Sequence, residues 1–199
     1  MLQEYTEEDL STEMQRGSLR GIYCLVSDDE LLKQRIIMAG LGCQNDSYII
    51  FCDDYNFVID AEERAKDNMY KTIIVDINYD FHVNTVRKKM QTFFKMQKKN
   101  RFVIFFMIPK QADPKVEKMI SYCYSRIMIY LNHKKHDHVL LVAHPYCSLK
   151  KVKIKHLRIG RKVSVFVTAI DLQDILDDKA WMKFLKKETF HVIRLKNSS

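Results

Sequence analysis

The chain has 199 residues, 47% of them apolar and 29% charged, with five Gly, three Pro and a net charge of +8. That composition suits one compact domain, or one domain with a short appendage, and excludes a disordered or linker-rich chain. No run approaches the roughly 18–20 apolar residues of a membrane span, so no membrane partner is expected.

Residues 1–19 read as an acidic N-terminal segment: Glu4, Glu7, Glu8, Asp9 and Glu13 occur before the first base. Such a polar start is unlike a secretory or Arg-rich transit leader. Gly21–Val26 then reads as a buried strand, and Ser27-Asp28-Asp29 as a helix cap. Helical spacing of Leu31, Leu32, Arg35, Ile36 and Ala39 predicts a helix over Glu30–Ala39, stopped at Gly40-Leu41-Gly42. Tyr48–Cys52 is a second strand, residues 60–69 a short charged helix, and Lys71–Ile77 a third strand. Val83–Gln97 is an amphipathic helix with Val83, Val86, Met90, Phe93 and Phe94 inward and Arg87, Lys88, Lys95 and Lys98 outward. Arg101–Ile108 is continuously apolar, so a fourth strand buried on both sides. Asp113-Pro114 opens a long helix to about Leu131, by an N-cap followed by Pro at the first helical position. Its Val116, Met119, Ile120, Cys123, Ile127 and Leu131 share one side, and Tyr122, Tyr124, Met128 and Tyr130 widen the apolar surface. A helix this apolar is expected to be buried or to pack on a partner, so a homodimer through helix 114–131 is one expectation. Beyond it, Val139–Ala143, Val152–Ile159, Val163–Thr168 and His191–Leu195 read as strands, and Asp171–Asp178 and Lys179–Lys187 as helices. Alternating strands and helices imply an α/β fold: a largely parallel sheet flanked by helices. The expected organisation is residues 1–19, a domain over 20–137, and a β-rich, basic C-terminal extension over 138–199 packed on it.

The positive charge is concentrated. Arg87–Arg101 holds seven bases and no acid, and Lys150–Lys162 holds seven more (Lys150, Lys151, Lys153, Lys155, Arg158, Arg161 and Lys162). Such stripes fit phosphate backbones or an acidic protein. The plainer alternative is a solvated helix face and a Lys-rich edge strand. The five Cys (24, 43, 52, 123, 147) are odd in number and lack C-x-x-C spacing. They read as reduced thiols of a cytosolic or nuclear protein.

Neither GxGxxG nor GxxxxGK[ST] occurs, and neither GxSxG nor HExxH. His133, His136, His138, His144 and Cys147 are dense in zinc-ligand types, but without an established finger spacing. Asp53, Asp54, Asp76 and Asp80 lie at strand ends, where open α/β sheets keep their sites and where paired acids could hold Mg²⁺. They are equally ordinary turn residues. No metal and no cofactor is expected.

One stretch is more specific. Gly21-Ile-Tyr-Cys-Leu-Val-Ser27, followed by Leu31-Leu-Lys-Gln34 and Ala39-Gly40, resembles the opening of the serine recombinase catalytic domain (resolvases and invertases). That family reads G-Y-x-R-V-S, then a helix with L-x-x-Q ending A-G. Ile50-Phe51-Cys52-Asp53 is similar to its second strand, I-F-x-D, and the helix from Asp113 resembles its long dimerising helix. The resemblance spans residues 20–131 and implies a resolvase-like sheet. In that family a Ser hydroxyl attacks a DNA phosphodiester while several Arg neutralise the phosphate. Here Ser27 matches the nucleophile. The Arg two residues before it is Leu25. The L-D-R-L-G-R motif falls on Ile77–His82, so its arginines become Tyr79 and His82, with Asp80 adding a negative charge. Arg64 is a candidate stand-in for a further Arg. Losing one electrostatic donor of this kind costs about 10²–10³ in rate, so the residues imply an inactive site with a vestigial Ser27.

That combination is similar to a poxvirus family described as inactive relatives of serine recombinases. The resemblance implies a non-enzymatic viral accessory protein in the host cytoplasm and nucleus, the nucleolus included, and the basic stripes add DNA, RNA or an acidic host protein as the expected partner. An active metal-dependent nuclease or strand-exchange enzyme is the alternative, and a small-ligand α/β domain the third reading.

Overall fold

The β-branched and aromatic runs over residues 21–26, 48–52, 71–77, 101–108, 139–143, 163–168 and 191–195 form strands, and the polar–apolar periodic segments between the first five of them form helices. A computed structural model describes residues 2–16, 22–26, 30–43, 47–78, 80–96, 101–111, 113–131, 139–143, 163–169 and 190–195, besides isolated positions 179 and 183. The elements are β1 (Leu2–Tyr5), α1 (Glu7–Gln15), β2 (Ile22–Val26), α2 (Glu30–Leu41), β3 (Ser47–Cys52), α3 (Tyr55–Asp67), β4 (Lys71–Asp76), α4 (Val83–Met96), β5 (Phe102–Met107), α5 (Pro114–Leu131), β6 (Val139–Ala143), β7 (Val163–Ala169) and β8 (Phe190–Leu195).

All eight strands lie in one sheet, in the order β1-β8-β2-β7-β6-β3-β5-β4, and every pairing is parallel. The fold is α/β, with helices on both faces of the sheet, as the alternation of elements implied. Strands drawn from 1–19, 20–137 and 138–199 all share it. The chain steps in one direction across the sheet to β4 and then turns back through β5, β6, β7 and β8. Right-handed crossovers therefore put α1, α2 and α3 on one face and α4 and α5 on the other.

The core follows that division. On one face Leu10, Met14, Leu32, Ile36, Phe57, Val58 and Ala61 pack on Tyr48, Ile50, Val103 and Phe105. On the other Val86, Met90, Phe93, Val116, Ile120, Cys123 and Ile127 pack on Ile49, Phe51, Phe102, Ile104 and Phe106. Strand β5 supplies side chains to both sets, which is why its run is apolar without alternation.

Two local expectations are corrected. Residues 2–15 are built into the fold: Thr6 and Asp9 form a capping box that starts α1, and β1 pairs with β8. Helix α2 runs from Glu30 to Leu41 and so ends within Gly40-Leu41-Gly42, as its sequence implied. Gly40 faces the core: a Cβ there would stand 2.6 Å from Met14 Cε and 3.0 Å from Tyr48 Oη, and the Tyr48 hydroxyl donates to the Gly40 carbonyl at 3.0 Å. Helix α3 starts at Tyr55, not residue 60, because Asp54 caps it by accepting from the Phe57 amide at 3.2 Å. The expected strand Val152–Ile159 and helix Asp171–Asp178 lie outside the described residues, as does nearly all of Lys179–Lys187.

Candidate functional site

Open parallel sheets gather ligands at the carboxyl edge, between neighbouring strands whose following helices go to opposite faces. Strands β3 and β5 are such a pair, since α3 and α5 lie on opposite faces. Asp53, Asp54, Lys110 and Gln111 follow these two strands and stand there. The carboxylate of Asp54 is already committed: one oxygen caps α3, and the other accepts from Gln34 Nε2 at 2.9 Å. The Gln34 bond, then the Phe57 amide, hold its pKa below the ordinary carboxylate value, with the charge of Lys110 adding a smaller pull. Asp80 closes a turn, its amide donating to Asn78 Oδ1 at 2.8 Å. Among the described residues no three His, Cys, Asp or Glu converge as metal ligands. The cluster His133, His136, His138, His144 and Cys147 lies outside them.

Ser27 and Tyr79, two positions of the resemblance, also lie outside the described residues. Leu25 sits in β2 opposite Thr168 and Ile193. His82 is exposed, and its carbonyl accepts from the Thr85 and Val86 amides, so it serves the start of α4. Arg64 does not approach the end of β2. Its Nε donates to the Met38 carbonyl at 3.3 Å, near the C-terminus of α2 and so at the amino edge of the sheet. There it also lies beside Cys43, whose thiol pKa is raised by burial against the smaller lowering by Arg64; the Cys43 thiol itself donates to the Ala39 carbonyl at 3.0 Å. Among the described residues, Cys43, Cys52 and Cys123 stand outside any disulfide.

The stripe Lys150–Lys162 (Lys150, Lys151, Lys153, Lys155, Arg158, Arg161, Lys162) lies outside the described residues. The other stripe is partly in view. Arg87, Lys88 and Lys95 are all exposed on α4, which contains no acid. Lys88 and Lys95 are seven residues apart and so share one line, opposite the buried Val86, Met90 and Phe93. Lys89 is turned to a structural task, its ammonium reaching the Ile74 carbonyl of edge strand β4 at 2.7 Å.

Arg87 points toward α5. Between the two helices runs a cleft of about 200 Å³, lined by Arg87, Met90, Gln91 and Phe94 from α4 and by Tyr122, Arg126, Ile129 and Tyr130 from α5. Each set follows helical spacing, so each is one flank of its helix. Phe94 and Tyr130 stack with centroids 3.8 Å apart, and the Tyr130 hydroxyl donates to the Phe94 carbonyl at 2.7 Å. Burial raises the Tyr130 pKa, which keeps the phenol a donor. The apolar side of α5 named from its sequence packs on the sheet. Arg126 and Ile129 escape a reading of α5 alone, because only the side-by-side packing of α4 and α5 brings them to Arg87.

The chain matches no protein-family model and no curated protein. Among solved structures it is similar to the C-terminal domain of the DEAD-box protein Dbp5, at 13% identity and a TM-score of 0.46 over 88% of this chain and 90% of that one. It is also similar to the S. cerevisiae Dbp5 L327V C-terminal domain bound to Gle1 H337R and IP6, at 12% identity and a TM-score of 0.45 over 90% and 92%. At that identity and TM-score neither likeness bears on what this chain binds or does.

Proposed function

We propose that the protein works by binding an anionic partner through the outer face of α4, and not by turning over a substrate. One observation carries this: Arg87, Lys88 and Lys95 stand exposed on a helix without a single acid. A solvated helix face needs charge but not charge of one sign, whereas a one-signed face attracts nucleic acid or an acidic protein. Asp54 supports the same reading, because its carboxylate is occupied by Gln34 and the α3 cap. The stripe Lys150–Lys162 belongs to this proposal by its charge. So does a non-catalytic Ser27, and so does the resemblance to inactive viral relatives of serine recombinases acting in the host nucleus or nucleolus.

Titration with a labelled single-stranded oligonucleotide at several salt concentrations tests the reading. Log K falls against log salt by about 0.7 per phosphate contacted on a single strand. The charge reversals Lys88→Glu and Lys95→Glu together weaken binding by about tenfold or more while leaving the fold intact. A slope of zero, with no binding to an all-Glu peptide either, overturns it. Ser27→Ala leaves binding unchanged; a DNA-linked phosphoserine trapped at Ser27 would restore the enzymatic alternative.

A further inference from the structure

We infer that the cleft between α4 and α5 docks an acidic peptide segment through an aliphatic anchor side chain. This rests on the anion-binding reading above and extends it, through the shared Arg87, to a neighbouring cleft and a partner chemistry. The cleft has two kinds of surface. Its floor is apolar: Met90 is buried, Phe94 and Tyr130 are stacked, and Ile129 stands 54% exposed beside them. Its rim is cationic, with Arg87 from α4 and Arg126 from α5. Neither guanidinium forms an ion pair among the described residues, and the one acid on α5, Glu117, is nine residues before Arg126. Two guanidinium forks flanking an exposed Ile match carboxylates that flank an aliphatic side chain, the pattern of an acidic amphipathic segment laid in a groove.

Size narrows the occupant. At about 200 Å³ the cleft is smaller than the roughly 300–1,000 Å³ of small-molecule pockets, so it takes a side chain or two of a larger partner. A nucleic acid is disfavoured here, because single strands bind by stacking bases on open aromatic faces. Phe94 and Tyr130 stack on each other instead, and the Tyr130 hydroxyl is tied to the Phe94 backbone. A second copy meeting this face about a two-fold axis would bring the like charges of Arg87, Arg126 and Lys88 together. The chain's own acidic stretch, α1, packs on the opposite face of the sheet and does not reach the cleft.

The test is a binding comparison on the full chain, with three labelled probes of matched charge: a peptide of Glu-Glu-Leu repeats, an all-Glu peptide, and oligo-dT. The Leu-bearing peptide is expected to bind about tenfold more tightly than the all-Glu peptide, since burying one Leu side chain supports at least that ratio. Ile129→Ser removes this preference and leaves the all-Glu peptide and oligo-dT unchanged. Arg126→Gln weakens the Leu-bearing peptide about fivefold or more, as loss of one charged hydrogen-bonding group does. Both side chains are exposed, so either variant keeps the fold, and a far-ultraviolet spectrum checks that. Equal binding of the two peptides overturns the cleft proposal and leaves the anion-binding reading standing. Loss of oligo-dT binding in Ile129→Ser also overturns it, by placing nucleic acid in the cleft. A concentration-dependent dimer that Ile129→Ser dissolves overturns it in favour of a second copy. Failure of all three probes removes both readings together.

Discussion

Asp54 shows how an acid at a strand end is committed to structure. It follows β3 as Asp53 does, and a pair of acids there is legible in the sequence as a candidate metal or ligand site. What the spacing does not encode is that Gln34, twenty residues earlier, comes to the same edge because α2 packs beside α3. Asp54→Ala removes the cap of α3 and should cost about 1 kcal/mol in urea unfolding at neutral pH. Asp54→Asn keeps a capping oxygen but loses the charge, which separates the two roles. Because the Gln34 and Phe57 bonds depress the folded-state pKa below 3.8, the charged carboxylate contributes stability that is present above 3.8 and lost as pH falls through the folded value. The gap in unfolding midpoint between wild type and Asp54→Asn should therefore be widest near neutral pH and close in strong acid. A gap independent of pH would show that the carboxylate charge adds nothing. The same limit of spacing applied to Arg64, whose partner carbonyl, Met38, belongs to a different helix.

At the scale of elements, most of the architecture was legible because burial imposes a period. Strand β5 reads as apolar at every position since helices cover both faces, and α4 reads at helical spacing since only one face is covered. Phe105 is a sharp test of the first statement. Its side chain is wholly buried under the α1–α3 layer, whereas its neighbours Ile104 and Phe106 are buried on the other face. Phe105→Ala should cost about 3–5 kcal/mol, measured by denaturant unfolding, through lost burial and the cavity left behind. A loss well under that range would mean the α1–α3 layer collapses into the gap, or that β5 is covered on one face only. The cleft was not legible, for a reason at the same scale. Periodicity reports which side of a helix is buried, and the flanks of α4 and α5 meet only because both crossovers place these helices on one face.

For the molecule as a whole, the decisive difference from the sequence reading is at the N-terminus. Composition marks residues 1–19 as an acidic N-terminal segment, because charge dominates the count. Yet Leu10 and Met14 are four residues apart on one side of α1, and both are buried against the α2–α3 layer. The carboxylates share in holding it: Glu7 pairs with Arg35 of α2 at 2.8 Å. Five acids close in sequence are therefore mostly the wet side of a docked helix, and the charges of the described α1 and α4 are separated in space as well as in sequence. Negative charge sits with α1 on one face of the sheet, and the basic helix α4 lies on the other. Single substitutions distinguish a docked element from a tail. Leu10→Ala should cost about 2–5 kcal/mol as a buried truncation, while Glu8→Gln, on the exposed side, should stay within about 0.5 kcal/mol. Both are read from denaturant unfolding of the full chain. If Leu10→Ala were as silent as Glu8→Gln, α1 would not be part of the cooperative fold, and the acidic stretch would be free to compete for the basic face across the sheet.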